Sequence, residues 1–373
     1  MGLHKPWEDM RRCVLNVNGT VNYYLDPLDS TKKANGTAAN LSGTDGNVMV
    51  EIPAFYYKYE RSGSSNKWNI RTTPASGYVL HPAFIKAGVE VPYRYIGAYQ
   101  ACYLDATDSA YKSGLNLDDM TPSLDLVNDK LASVSGIYPL VGVTRGETRT
   151  LGRNAGTGWH QLDFALWSAI QMLFLAEYSS FNSQLKLGAG NTNGSYLTSS
   201  AIQTDSPHTI AGASNVWGNN STNGTQPSAG AKPGTAYMSY RGIENWFGNV
   251  WQWCDGINVN IGTAGLVHYT NNYLNFADNT TTNYTQIAST FSTASGYIKD
   301  ILNSVGFGFL SSNNIGGSSS TFITDYHYAN ASLSRVVLVG GSASFGASAG
   351  GLCLASSYAS SSADRLIGAR LCF

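Results

Sequence analysis

The chain is short of charge. Lys, Arg, Asp and Glu make up 13% of its 373 residues and cancel to a net −1. A protein that grips a nucleic-acid backbone or an anionic membrane surface needs a basic field, so neither partner is expected. Long apolar runs are missing too. The most hydrophobic stretch, FALWSAIQMLFLAEY, is interrupted by Ser168 and Gln171 and reaches Glu177, short of the roughly 20 apolar residues that span a bilayer. No membrane insertion is expected. The opening MGLHKPWEDMRRCVLNVNG has no apolar h-region, and Gly2 lacks the Ser or Thr of a myristoylation site, so neither leader nor lipid is expected there. The five cysteines, Cys13, Cys102, Cys254, Cys353 and Cys372, are odd in number and include no CxxC. A fully paired disulfide framework is excluded, a zinc site is not expected, and buried free thiols are. His4, His81, His160, His208, His268 and His327 never fall at ligand-pair spacing, and no nucleophile elbow occurs. The expectation is no catalysis and no cofactor. A structural Ca²⁺ is left open: Asp255 and the Asn-rich stretches could supply oxygens, although no regular calcium spacing is present.

What the chain does have is apolar and aromatic material for a core: 43% hydrophobic residues, with 23 Tyr and 8 Trp. At this length one large domain with insertions, or two domains, is expected. Residues 1–45 read as a small N-terminal β module or arm, with Asn18-Gly19 as a hairpin signal. VMVEIPAFYYKYE, KWNIRTT and YRYIGAYQACYL are rich in β-branched and aromatic residues and read as strands. Thr144 and Glu147 form a capping box for a helix that Gly156 would stop. A second helix is predicted over 159–179, where Leu162, Ala165, Leu166, Ala169, Ile170, Leu173 and Phe174 share a stripe. Residues 182–240 and 259–330 are polar and read as long loops. Short strands are expected in SGYIKDIL, RVVLVGG and the terminal IGARLCF.

GIENWFGNVWQWCDG, residues 242–256, resembles the GNVWxW signature of the formylglycine-generating-enzyme branch of the C-type lectin fold. The two helices precede it in the family's order, and IGAR resembles its closing strand. The resemblance implies an α+β, C-type-lectin-like domain over 46–373 with long loop insertions. Trp246, Trp251 and Trp253 would then lie in or against its central strand. The oxidising members bind copper through C-terminal cysteines, but Cys353 and Cys372 lie far apart in no such context. An oxidoreductase on the same fold remains the alternative.

The tail GGSASFGASAGGLCLASSYASSSADRLIGARLCF resembles the variable region of diversity-generating retroelement proteins of the phage or prophage tail type. The frame is Gly340-Gly341, Gly346-Ala347, Ala349-Gly350 and Ile367-Gly368-Ala369-Arg370. Adenine-directed replacement of Asn codons cannot produce Lys, Glu, Gln, Met or Trp, and none occurs from Val336 to Phe373. The resemblance implies that variation over about 336–373 falls on Ser342, Ser344, Phe345, Ser348, Cys353, Ala355, Ser357, Tyr358, Ser362, Asp364 and Leu366. These would form one solvent-facing patch with Phe345, Tyr358 and Leu366 as anchors and Asp364 and Arg365 for polar contacts. Ile367, Ala369 and Leu371 would turn inward. The implied function is non-catalytic recognition of a bacterial cell-surface receptor, protein or glycan. It would be exercised by a homotrimer among other virion proteins at a tail tip or, alternatively, on a bacterial surface. An invariant structural tail protein is the remaining alternative.

Overall fold

A computed structural model describes residues 5–113, 122–193, 208–225, 236–302 and 305–373. Its first large sheet ties the chain ends together. Six antiparallel strands run in the order His160–Gln161, Leu371–Cys372, Tyr93–Gly97, Asn47–Pro53, Arg11–Leu15, Val21–Tyr24. The first 45 residues, read as a small β module or arm, contribute two strands to a sheet that also holds the C-terminal strand. Asn18-Gly19 does lie in the turn joining them, and Gly19 takes a φ of 81° that L-residues avoid. Buried Arg12 stitches this edge to distant loops. It donates to the Gly242 carbonyl at 2.7 Å and to Ser214 Oγ at 2.6 Å.

Helix α1 spans Arg145–Asn154, and its capping box is formed as the sequence implies: Thr144 caps and Glu147 reaches back. Helix α2 spans Phe164–Tyr178. It starts later than its apolar stripe suggests, because His160 and Gln161 pair with the C-terminal strand and Asp163 accepts the Leu166 N–H at 2.8 Å as N-cap. Helix α3 is the short Ser183–Leu187. Every α2 residue from Phe164 to Leu175 is buried. Such a helix has no solvent face and is stable only under a cover on all sides. None of the helices among the described residues is long and apolar enough to cross a membrane.

The α+β, C-type-lectin-like class expected from the sequence is not what forms. Among the described residues the fold is mostly β, 33% strand against 13% helix, spread over many small sheets with three α-helices. The reason lies in the long segments read as loops. Thr222–Thr225 pairs antiparallel with Ala236–Tyr240, and 259–330 supply Val267–Tyr269, Thr285–Ala288 and Tyr326–Ala329 besides Gly296–Tyr297, which lies in the expected strand SGYIKDIL. Short polar strands hide from a pattern search because two to four residues carry too little alternation. Within the same polar segment His208, Thr209, Ser214 and Asn215 are buried rather than exposed.

The second large sheet runs Thr285–Ala288, Val267–Tyr269, Trp251–Val259, Arg335–Val339, Leu354–Tyr358, Tyr326–Ala329, Gly296–Tyr297, with Ile367–Gly368 pairing Trp251–Val259 in parallel. Trp251 and Trp253 lie in its central strand, and Trp246, just before it, packs on Trp167 of α2 with ring centroids 5.5 Å apart. Arg370 closes the fold. Fully buried, it donates to Gln252 Oε1 (2.6 Å) and to the carbonyls of Gly97 (2.8 Å), Glu244 (2.8 Å) and Asn245 (2.7 Å). Only a guanidinium offers enough forked donors for four acceptors.

Candidate ligand-binding surface

Strand periodicity gives the second sheet two unlike faces. Cys254, Val337, Val339 and Leu354 point into the main core beside α2. Trp251, Trp253, Val336, Leu338, Ala355 and Ile367 point the other way and form a separate small cluster with Cys353, capped by half-buried Tyr328, Phe345 and Tyr358. Leu338 pairs with Ala355 but Val336 pairs with Tyr358, so the Leu354–Tyr358 strand carries one extra residue. That bulge returns Tyr358 to the face of Ala355. Tyr328 pairs with Ala355 in parallel and Tyr297 pairs with Tyr326, which puts all three tyrosines on this outer face.

Phe345 and Tyr358 of residues 340–366 cover that face, Leu354–Tyr358 being one of its strands, and the segment is held through its main chain. Gln184 of α3 donates to the carbonyls of Gly346 (2.9 Å) and Ala349 (2.8 Å). Ser183 Oγ accepts the Gly351 N–H (2.9 Å), and Gln171 of α2 donates to the Gly351 carbonyl (2.8 Å). Asp325 accepts the Leu352 N–H at 2.7 Å. Further backbone bonds run from Gly346 N–H to the Thr192 carbonyl (2.7 Å), from Ala343 N–H to that of Asn249 (3.0 Å), from Gly142 N–H to that of Asp364 (3.0 Å) and from Trp251 N–H to that of Leu366 (2.8 Å). None of these clamps uses a side chain of the 340–366 segment. Gly341 adds a backbone requirement: its φ is 77°, and a Cβ there would stand 2.6 Å from Ala349 Cβ.

Of the eleven positions singled out in the sequence, Ser344 is exposed, and Phe345, Ser348, Ser357, Tyr358, Ser362 and Asp364 are half-buried. Ser342, Cys353, Ala355 and Leu366 are buried, not solvent-facing. For Cys353 and Ala355 the reason is local: as small residues on the outer face they form a floor beneath the larger aromatic caps. Leu366 and Arg365 are drawn in beside the parallel Ile367–Gly368 pairing, so Leu366 is no exposed anchor and Arg365 is only 8% exposed. Asp364 shapes its own turn by accepting the Leu366 N–H at 2.8 Å. Ile367, Ala369 and Leu371 are buried.

Electrostatics on this side of the fold is dominated by burial. Asp325, fully buried beneath the clamped loop, is pushed up to about 7 by desolvation. Desolvation also raises the Tyr328 phenol and the Cys353 thiol. His327, behind the face, is lowered to about 3 by burial, with Ser356 Oγ 2.9 Å from Nε2 and Asn314 Nδ2 2.8 Å from Nδ1. Among the described residues, no group of three or more His, Cys, Asp or Glu is placed to hold a metal. Asp255, considered for calcium, is taken by Arg149 at 2.6 and 2.9 Å and by Gln161 at 2.6 Å. All five cysteines are buried and unpaired with one another. His4 lies outside the described residues. A cavity of about 960 Å³ sits elsewhere, lined by Tyr103, Tyr111, Tyr138 and several carboxylates. There Asp105 is already engaged by Lys112 (2.7 Å) and by two backbone N–H groups.

Sequence reasoning missed the clamp residues Gln171, Ser183, Gln184 and Asp325, which look like any polar residues. It also missed Tyr297, Tyr326 and Tyr328. The alternation Tyr-His-Tyr at 326–328 is the only local sign of a half-buried strand there.

No family model and no curated protein matches the chain. Among solved structures, the chain is similar to one titled "Major Tropism Determinant P3c Variant". The likeness spans 97% of this chain and 71% of that one, at 11% identity and a TM-score of 0.29. So little of the two backbones superposes that the reading of the surface rests on the contacts described above.

Proposed function

We propose that this chain is a non-catalytic receptor-binding protein of a phage or prophage tail. Its 340–366 segment displays replaceable side chains to a receptor on the bacterial surface. The observation that carries the reading is the main-chain clamp. A segment held by Gln171, Ser183, Gln184 and Asp325 through backbone atoms keeps its shape when its own side chains change. Ser344, Phe345, Ser348, Ser357 and Tyr358 then act as the interchangeable contacts, in the manner of a paratope. Cys353 and Ala355 set the depth of the floor. The resemblance of the tail to a retroelement variable region supports the same reading. Affinity from so many small residues is low per site, and a homotrimer would raise it through avidity.

The test is a set of variants randomised at Ser344, Phe345, Ser348, Ser357 and Tyr358, screened for adsorption to a panel of bacterial strains. Changed strain preference with retained folding is expected. Unchanged adsorption across all variants would refute the proposal.

A further inference from the structure

We propose that Tyr297, Tyr326 and Tyr328 form a constant half of the binding face, and that this half takes an uncharged saccharide of a bacterial surface polysaccharide. The inference rests on the receptor-binding reading above and names its ligand class. All three tyrosines precede the 336–373 window, so they stay the same whatever the displayed residues become. They are half-buried and run as a ladder. Ring centroids are 5.0 Å apart from Tyr297 to Tyr326, 4.5 Å from Tyr326 to Tyr328 and 5.1 Å from Tyr328 to Phe345. Phe345 in turn stands 5.1 Å from Trp251 in the floor. Tyr297 Oη lies 3.4 Å from Ser348 Oγ, joining the ladder to the displayed loop. Fixed and replaceable parts are thus one continuous surface.

The chemistry of that surface selects the ligand. Its contacts are aromatic faces, phenols and serine hydroxyls, with no formal charge in the ladder. Half-exposed phenols offer an apolar ring and a polar tip together. A pyranose presents the matching pair: C–H faces for the rings and hydroxyls for the Oη and Oγ atoms. An anionic sugar or a charged protein patch would leave its charge desolvated without a partner. An extended peptide adding a strand would need an open edge, and the edge strand here, Gly296–Tyr297, is two residues long.

The experiment is binding of the full-length protein to an array of purified bacterial surface polysaccharides, neutral and acidic, beside purified outer-surface proteins. Neutral polysaccharides are expected to be captured. Tyr326→Ala and Tyr297→Ala should weaken capture of every neutral polysaccharide at least tenfold while the protein stays folded by circular dichroism. Tyr328→Phe, which keeps the ring on Trp251, should lose less. Phe345→Ser should alter which neutral polysaccharide is preferred. If the tyrosine variants bind like wild type while Phe345→Ser changes binding, the constant half is refuted and the receptor-binding reading survives. Capture only of acidic polysaccharides or proteins, or of nothing on the array, refutes the ligand class. Indifference of binding to both sets of substitutions refutes both readings.

Discussion

Gly341→Ala and Ser344→Tyr lie three residues apart, and their costs should differ severalfold. Gly341 has a φ of 77°, which costs an L-residue about 1–2 kcal/mol. The new methyl would also stand 2.6 Å from Ala349 Cβ, and overpacking of this kind costs about 1–3 kcal/mol. Ala349 cannot retreat freely, because its carbonyl is held by Gln184 at 2.8 Å. The expected destabilisation is therefore about 2–5 kcal/mol. Ser344 is exposed, and no clamp passes through its side chain, so even a large replacement should stay within about 0.5 kcal/mol. Urea unfolding followed by tryptophan fluorescence measures both, since Trp246 and Trp251 lie beneath the loop. Adsorption to cells supplies the second readout: Ser344→Tyr should alter it with stability intact. A Ser344→Tyr cost above about 1 kcal/mol, with Gly341→Ala nearly neutral, would show that the loop is held by its side chains and refute the clamp.

Other expectations follow from single contacts. Arg370→Lys offers three donors to four buried acceptors and should cost about 3 kcal/mol or more in urea unfolding, because carbonyls are left unpaired. Burial keeps the Asp325 carboxyl protonated up to about 7, whereas an unfolded chain ionises it near about 4. The native state thus holds an extra proton between those values, and this group's contribution to stability falls as pH rises through that window. The stability of wild type relative to Asp325→Asn should decline from about pH 4 to about pH 7 and then level off; a flat or rising difference would contradict the burial argument. All five thiols are buried, so a thiol reagent should modify none of them in the native protein and all of them in denaturant.

Several features were legible in the chain itself because their causes are local. The capping box at Thr144 and Glu147 needs only four consecutive residues to form. The apolar run of α2 announces a buried helix without saying what buries it. Strands at Asn47–Pro53, Tyr93–Gly97 and Arg335–Val339 follow from β-branched and aromatic runs. The low charge and the odd cysteine count are properties of composition alone.

Tertiary structure decided the rest, because pairing partners distant in the chain set it. His160 and Gln161 have helical neighbours, yet they became a strand once the C-terminus offered them a ladder. The class turned out mostly β because short polar strands in the insertions acquired partners that no local pattern specifies. Ser342, Cys353, Ala355 and Leu366 belong to the same segment as exposed Ser344 but are buried, Cys353 and Ala355 beneath Tyr328, Phe345 and Tyr358. The tyrosine ladder likewise exists only because Tyr326–Ala329 pairs in parallel with Leu354–Tyr358. Sequence sets which side chains are available and the local geometry of a turn or cap. Which face of a sheet meets solvent depends on register and bulges, and those are settled only when all the strands are in place.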